Sequence, residues 1–166
     1  LLPALAKAKE KAARTTCMNN QKQVTLALQM YVIDNRDKMP SNNGTGFWAW
    51  DMPNGVGTAM VDAGTKFKTW YCPGMGPRFD EVDFQRLWNY GGYRVLGYAT
   101  TFPNTVTLND TNWNENLTQP KRMLVGYNTY VTETLVQRVV IADVTISASG
   151  QASIPLRNSY NYTSIA

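Results

Sequence analysis

Between Cys17 and Tyr31 the apolar residues Cys17, Val24, Leu28 and Tyr31 recur seven, four and three positions apart, which sets them on one stripe of an α-helix. Leu26, Ala27 and Met30 are read as widening that stripe, so it needs a core to cover. Upstream the pattern changes: from Ala6 to Arg14 the only apolar residues are alanines, which bury little surface. Ala, Leu, Lys, Glu and Arg nonetheless fill nearly every position after Pro3, so the helical conformation is favoured throughout. The pattern predicts one amphipathic helix over residues 1–35 that docks by its second half and protrudes by its first. Asp34-Asn35-Arg36-Asp37-Lys38-Met39-Pro40 ends it with turn-prone residues and a proline. Such a rod is roughly 50 Å long, longer than a domain of this size is wide.

Further on the pattern is one of short strands. Residues 41–76 are rich in Gly, Asn, Pro, Trp and Met, with Asn42-Asn43-Gly44 and Pro53-Asn54-Gly55 as turn signals, and read as a loop-rich region. A short helix is predicted from Asp80, anchored by Trp88. Strands are predicted over 93–102, 123–127 and 135–146. The last holds the unbroken run Val139-Val140-Ile141-Ala142, expected to lie centrally beneath the helix. Residues 103–119 and 147–166 read as loops. A helix followed by strands, without alternation, predicts an α+β fold: a long N-terminal helix packed through Val24, Leu28 and Tyr31 on a small antiparallel sheet. One domain is expected, with residues 1–35 protruding and 36–166 globular.

With 166 residues, 43% of them apolar, the chain is large enough for a core of its own. No apolar run reaches the 18 or so residues of a spanning helix, and no signal peptide is visible. Charge is unevenly placed: Lys7, Lys9, Lys11, Arg14 and Lys22 face only Glu10 in the first 22 residues, which accounts for the whole net charge of +4. The basic residues lack interleaved aromatics and no DNA-binding motif is present, so nucleic acid is not expected as a partner.

The chemistry available is narrow. The chain contains no His, which rules out Ser-His-Asp and Cys-His catalysis within it, and two cysteines are too few for a Cys-only zinc site. Asp80-Glu81-Asp83 suits helix capping better than a carboxylate pair for catalysis. Asp51, Asp62 and Asp110 sit in Gly- and Asn-rich stretches of the kind that hold calcium, but none matches an EF-hand loop. No enzyme activity, metal or cofactor is therefore expected. The four Asn-x-Thr matches at Asn43, Asn109, Asn116 and Asn161 follow from a composition rich in both residues. Trp48, Trp50 and Trp70, with Tyr71, are either a stacking platform for sugars or the local core of a region short of aliphatic residues.

Residues 1–23 (Leu-Leu-Pro-Ala-Leu-Ala-Lys-Ala-Lys-Glu-Lys-Ala-Ala-Arg-Thr-Thr-Cys-Met-Asn-Asn-Gln-Lys-Gln), then Leu-Ala-Leu-Gln-Met-Tyr at 26–31 and Met39-Pro40, resemble the start of type IV pilin-like proteins. More narrowly, they are similar to the branch related to the major pseudopilin of type II secretion. Trp70-Tyr71-Cys72-Pro73 and Val140-Ile141-Ala142-Asp143 are weaker matches. Gln21 departs from the usual Leu and is expected to face water or a neighbouring subunit. The basic leader with its Gly and Phe-Thr-Leu-Ile-Glu is absent, as is the closing His followed nine residues on by Asp-Gly. Both absences are expected if the sequence is a portion of a longer protein, with an apolar membrane helix upstream of Leu1.

The resemblance implies a structural subunit of a type IV pilus or type II secretion pseudopilus-like filament. It would be anchored in the inner membrane with its domain in the periplasm, or exposed at the cell surface once assembled, with itself and other pilin-like subunits as partners. Leu1, Leu2, Ala4, Leu5, Ala6 and Ala8 would then belong to the packed filament helix, with Pro3 a kink within it. Pseudopilins of this kind carry a calcium site near the C-terminus, but no positions here match it. The alternative is a surface module that binds glycans through Trp48, Trp50 and Trp70. Export implies an oxidising compartment, in which Cys17 and Cys72 are expected to pair. Two buried free thiols acting as small apolar residues are the other reading.

Overall fold

A computed structural model describes residues 2–42, 49–75, 80–105, 115–118, 123–126, 129–131 and 140–143. Helix α1 runs without interruption over Leu2–Asp34. Pro3 lies in the first described turn of this helix. The last turn keeps the ordinary helical bond from the Asn35 amide to the Tyr31 carbonyl at 3.0 Å, and the C-terminus then closes with the 6→1 bond of a Schellman turn, from the Asp37 amide to the Val32 carbonyl at 2.9 Å. Arg36 and Asp37 take φ values of 56° and 67° to make this turn.

The rest of the fold is short elements. Strand β1 (Asp51–Pro53) leads directly into α2 (Asn54–Asp62), and two 3-10 turns follow at Phe67–Trp70 and Pro73–Met75. Then come α3 (Glu81–Trp88), β2 (Tyr93–Val95), β3 (Tyr98–Thr100), β4 (Met123–Gly126), β5 (Thr129–Val131) and β6 (Ile141–Asp143). The strands form three antiparallel pairs, β1 with β2, β3 with β6 and β4 with β5. The architecture is α+β, as the order of patterns predicts, although the described strands make pairs rather than one continuous sheet.

Val24, Ala27, Leu28 and Val32 of α1 are buried together with Met52, Met60, Trp70, Tyr71, Leu87, Val95, Leu96 and Phe102, and Tyr31 packs at the margin. The surface they cover is mainly the two 3-10 turns and α2, with β6 touching only the edge of the helix. The expected helix-on-sheet contact is thus largely a contact with the segment around Cys72. Leu26 and Met30 do not widen the core stripe. They are 61% and 54% exposed, because positions two and six residues beyond Val24 fall on the opposite side of a helix that turns about 100° per residue. Val32, eight residues beyond Val24, takes the inward place instead.

Two further expectations are corrected. Pro53-Asn54-Gly55 starts a helix rather than a turn, with Pro53 at the N-cap. The apolar positions Val56, Ala59, Met60 and Ala63 carry the helical spacing, of which Met60 is fully buried and Val56 and Ala63 pack against the core. The strand predicted over 93–102 is broken at Leu96-Gly97, whose amides donate to the carbonyls of Trp50 at 2.7 Å and Trp70 at 3.0 Å. That switch lets β2 pair with β1 and β3 with β6. The loop predicted over 103–119 is tethered at both described ends. Phe102 and Thr105 are buried, and residues 115–118 line the exit of α1, where Thr118 donates its amide and hydroxyl to the Asp37 carboxylate at 3.0 and 2.6 Å. Residues 147–166 and most of 135–146 lie outside the described residues, while β5 is a strand the sequence pattern did not predict.

Candidate functional site: the projecting helix and its clamp

Every residue of α1 from Leu2 to Thr16 is exposed apart from the half-buried Ala13, and the first buried residue is Cys17. Leu2 and Leu5 are 83% and 69% exposed, and Ala4, Ala6 and Ala8 lie bare beside them. Leu1 lies outside the described residues. This arm, about 22 Å long at 1.5 Å per residue, receives no support from the described part of the head. It is held as a helix by strong intrinsic propensity, with a local ion pair from Arg14 to Glu10 at 2.6 Å. Both partners of that pair are well exposed, so its contribution is small.

At the point where the arm meets the head, Cys17 is disulfide-bonded to Cys72, with Cα atoms 5.0 Å apart. One turn further on, the Asn20 side-chain amide donates to the Tyr71 carbonyl at 3.0 Å. Behind this edge the segment 70–72 is fixed on several sides. The Tyr71 hydroxyl donates to the Val95 carbonyl at 2.8 Å, and its ring stacks on Phe84 with centroids 4.7 Å apart. The Trp70 indole N–H donates to the Thr65 hydroxyl at 3.2 Å, which in turn donates to the Met60 carbonyl at 2.8 Å. A covalent bond and a hydrogen bond therefore couple the helix to a segment that is itself immobilised. Asn20 was legible only as half of the Asn19-Asn20 pair. Its role depends on a partner 51 residues away, which no local pattern shows.

Among the described residues, Trp70 and Tyr71 offer no exposed ring for a platform. Trp70 has no exposed surface and Tyr71 is 2% exposed, Trp50 is half-buried against the core, and Trp48 lies outside the described residues. Of the two readings the sequence leaves open, Trp70 takes the core one, in a region that has few aliphatic side chains to fill that place, and Trp50 packs against that core. Asp80 is an N-cap: its carboxylate accepts from the amides of Val82 at 2.8 Å and Asp83 at 3.0 Å, and Asp83 accepts from the Asp80 amide at 3.1 Å. Asp51 is buried in β1 and Asp62 exposed at the end of α2, while Asp110 lies outside the described residues. Among the described residues no three of Asp, Glu, Cys and His come together.

Arg94, which no motif singled out, locks the far side of the head. Its guanidinium lies 4.1 Å from the Trp88 ring centroid and donates to the Trp88 carbonyl at 3.0 Å. Burial holds its pKa below the usual arginine value. Gly57 of α2 faces it, and a Cβ there would overlap the guanidinium.

The fold and this junction define a class: an α+β head from which a long N-terminal helix projects, covalently clamped where it enters the head. Residues 6–71 match the model of a family described as a protein of unknown function (DUF1559). The match begins in the arm, takes in Cys17 and ends one residue before Cys72. No curated protein and no solved structure matches the chain. Among the described residues no helix is long and apolar enough to cross a membrane.

Proposed function

We propose that this chain is the head and helical stem of a filament subunit, of the type IV pilus or type II secretion pseudopilus kind, which polymerises through α1. The observation that carries the reading is the unsupported arm: a helix with exposed Leu2, Leu5 and alanines that nothing in the described head covers, joined to that head by a disulfide. Small residues permit close helix approach and the leucines supply area, so a second copy is a suitable cover. The contact is heterologous, the kind that propagates into an open filament rather than closing a dimer. In this reading the subunit waits in the inner membrane with its head in the periplasm and reaches the surface on assembly. It joins other pilin-like subunits, and its role is structural rather than enzymatic.

The test is electron microscopy of the sheared surface fraction from cells making the natural full-length protein, with an antibody to the head. Labelled filaments are expected, and Leu2→Asp/Leu5→Asp should abolish them while the head still accumulates with its disulfide formed. Absence of labelled filaments, or filaments indifferent to the double substitution, overturns the proposal.

A further inference from the structure

Lys7, Lys11, Arg14, Met18 and Lys22 are spaced four, three, four and four residues apart, so they form a single stripe along α1. The stripe runs from the arm onto the docked half of the helix, a length of about 22 Å. Its last turn opens onto a shallow groove of about 400 Å³ lined by Met18, Gln21, Lys22, Leu26, Gln29 and Ile141. Met18 and Leu26 are more than half exposed there. The one acid nearby, Glu10, is engaged with Arg14, and Lys7, Lys11 and Lys22 have no carboxylate partner among the described residues.

We propose that this stripe is a docking surface for an anionic lipid bilayer, with α1 lying along the membrane plane and the head turned away from it. Charge complementarity selects the partner class: the chain's whole positive excess lies in its first 22 residues, which hold this stripe, and the remaining 144 residues carry equal numbers of basic and acidic side chains. The interleaved apolar residues select lipid over nucleic acid. Met18 and Leu26 gain by entering the acyl boundary while the lysines extend their stems to the headgroups, whereas a phosphate backbone offers the apolar pair nothing. The core face of α1, with Val24 and Leu28, is turned towards the head, so membrane contact and folding do not compete for the same side chains. The inference is independent of the filament reading, since a chain that never polymerised would still bind.

The test is co-sedimentation of the purified 166-residue chain, disulfide intact, with phosphatidylcholine vesicles and with vesicles that also contain phosphatidylglycerol. Binding is expected only to the anionic vesicles and should fall steeply with added salt. At about fivefold in partition per basic residue, Lys7→Gln/Lys11→Gln/Lys22→Gln should lose about a hundredfold. Lys68→Gln/Arg86→Gln, which removes the same kind of charge from the head, should lose little. Met18→Ser/Leu26→Ser should abolish whatever binding persists at high salt. Equal binding to neutral vesicles, no loss in the triple variant, or an equal loss in the head variant overturns the proposal. Duplex DNA binding that the triple variant loses, without vesicle binding, would assign the stripe to nucleic acid instead.

Discussion

Arg36 occupies the C′ position of the Schellman turn, where the left-handed backbone places an L-residue's Cβ against the following carbonyl. Its side chain is exposed. Arg36→Gly therefore removes strain without removing packing, and is expected to raise stability by about 0.5–1 kcal/mol in urea unfolding, net of the entropy glycine gains in the unfolded chain. A loss would mean that the guanidinium makes a contact worth more than the strain. Asp37, also at positive φ, is the contrasting case: its carboxylate accepts two bonds from Thr118, so Asp37→Gly should destabilise despite relieving the same kind of strain. Tyr93 gives a pH-dependent prediction. Burial, with smaller effects from Asp51 and Tyr90, raises its pKa above the usual 10.0. A raised folded pKa means that the folded state holds its proton more tightly, so the contribution is complete below about pH 10 and is lost as pH rises through the folded value. Stability measured from pH 8 to 11 should decline at the alkaline end, and Tyr93→Phe should flatten that part of the decline.

Helix α1 is an element with two unlike halves and two unlike faces, and its substitutions should sort accordingly. Leu28→Ala opens a cavity in the core and is expected to cost about 2–5 kcal/mol, whereas Leu26→Ala, two residues away on the exposed side, should change stability by no more than about 0.5 kcal/mol. Equal effects at the two positions would refute the facing assigned to the helix. The sequence carried the existence, extent and end of this helix, because propensity, spacing and the turn-prone residues at 34–40 all agree. It also carried α3, since Asp80 and Asp83 form a capping box that can be read locally. What it did not carry were features decided across the chain. Leu26 and Met30 look inward if apolarity alone is counted, and only strict phase on the helix puts them outside. Pro53-Asn54-Gly55 reads equally as a turn or as the first turn of a helix, and burial of Met60 decides for α2. Trp70 reads as platform or core until the indole is seen bonded to Thr65. The break at Leu96-Gly97 depends on the carbonyls of Trp50 and Trp70, which lie on other elements.

At the scale of the molecule, the Cys17–Cys72 bond divides the described chain into a head with a shared core and an arm with none. No residue before Cys17 belongs to that core, so removing the arm should leave the head folded. The bond closes a separation of 55 residues, for which the chain-entropy model gives a stabilisation of about 4 kcal/mol. It acts on a head whose described strands are three pairs of three or four residues, so its loss should be felt throughout rather than at the junction alone. Limited trypsin digestion tests both statements in one experiment. The arm opens at little free-energy cost because it has no tertiary contacts with the described residues of the head, so the native protein should be cut first after Lys7, Lys9, Lys11 and Arg14. Under oxidising conditions digestion should pause there, leaving a head that begins at Thr15, still contains the disulfide and unfolds cooperatively in urea. After reduction, or in Cys17→Ser/Cys72→Ser, the next cut should come at Lys22, and the remaining head should follow quickly as its stability falls. An arm as resistant as the head would show that it packs against part of the molecule. A reduced protein that still pauses at Arg14 would show that Asn20 and the apolar stripe hold the helix without the covalent bond.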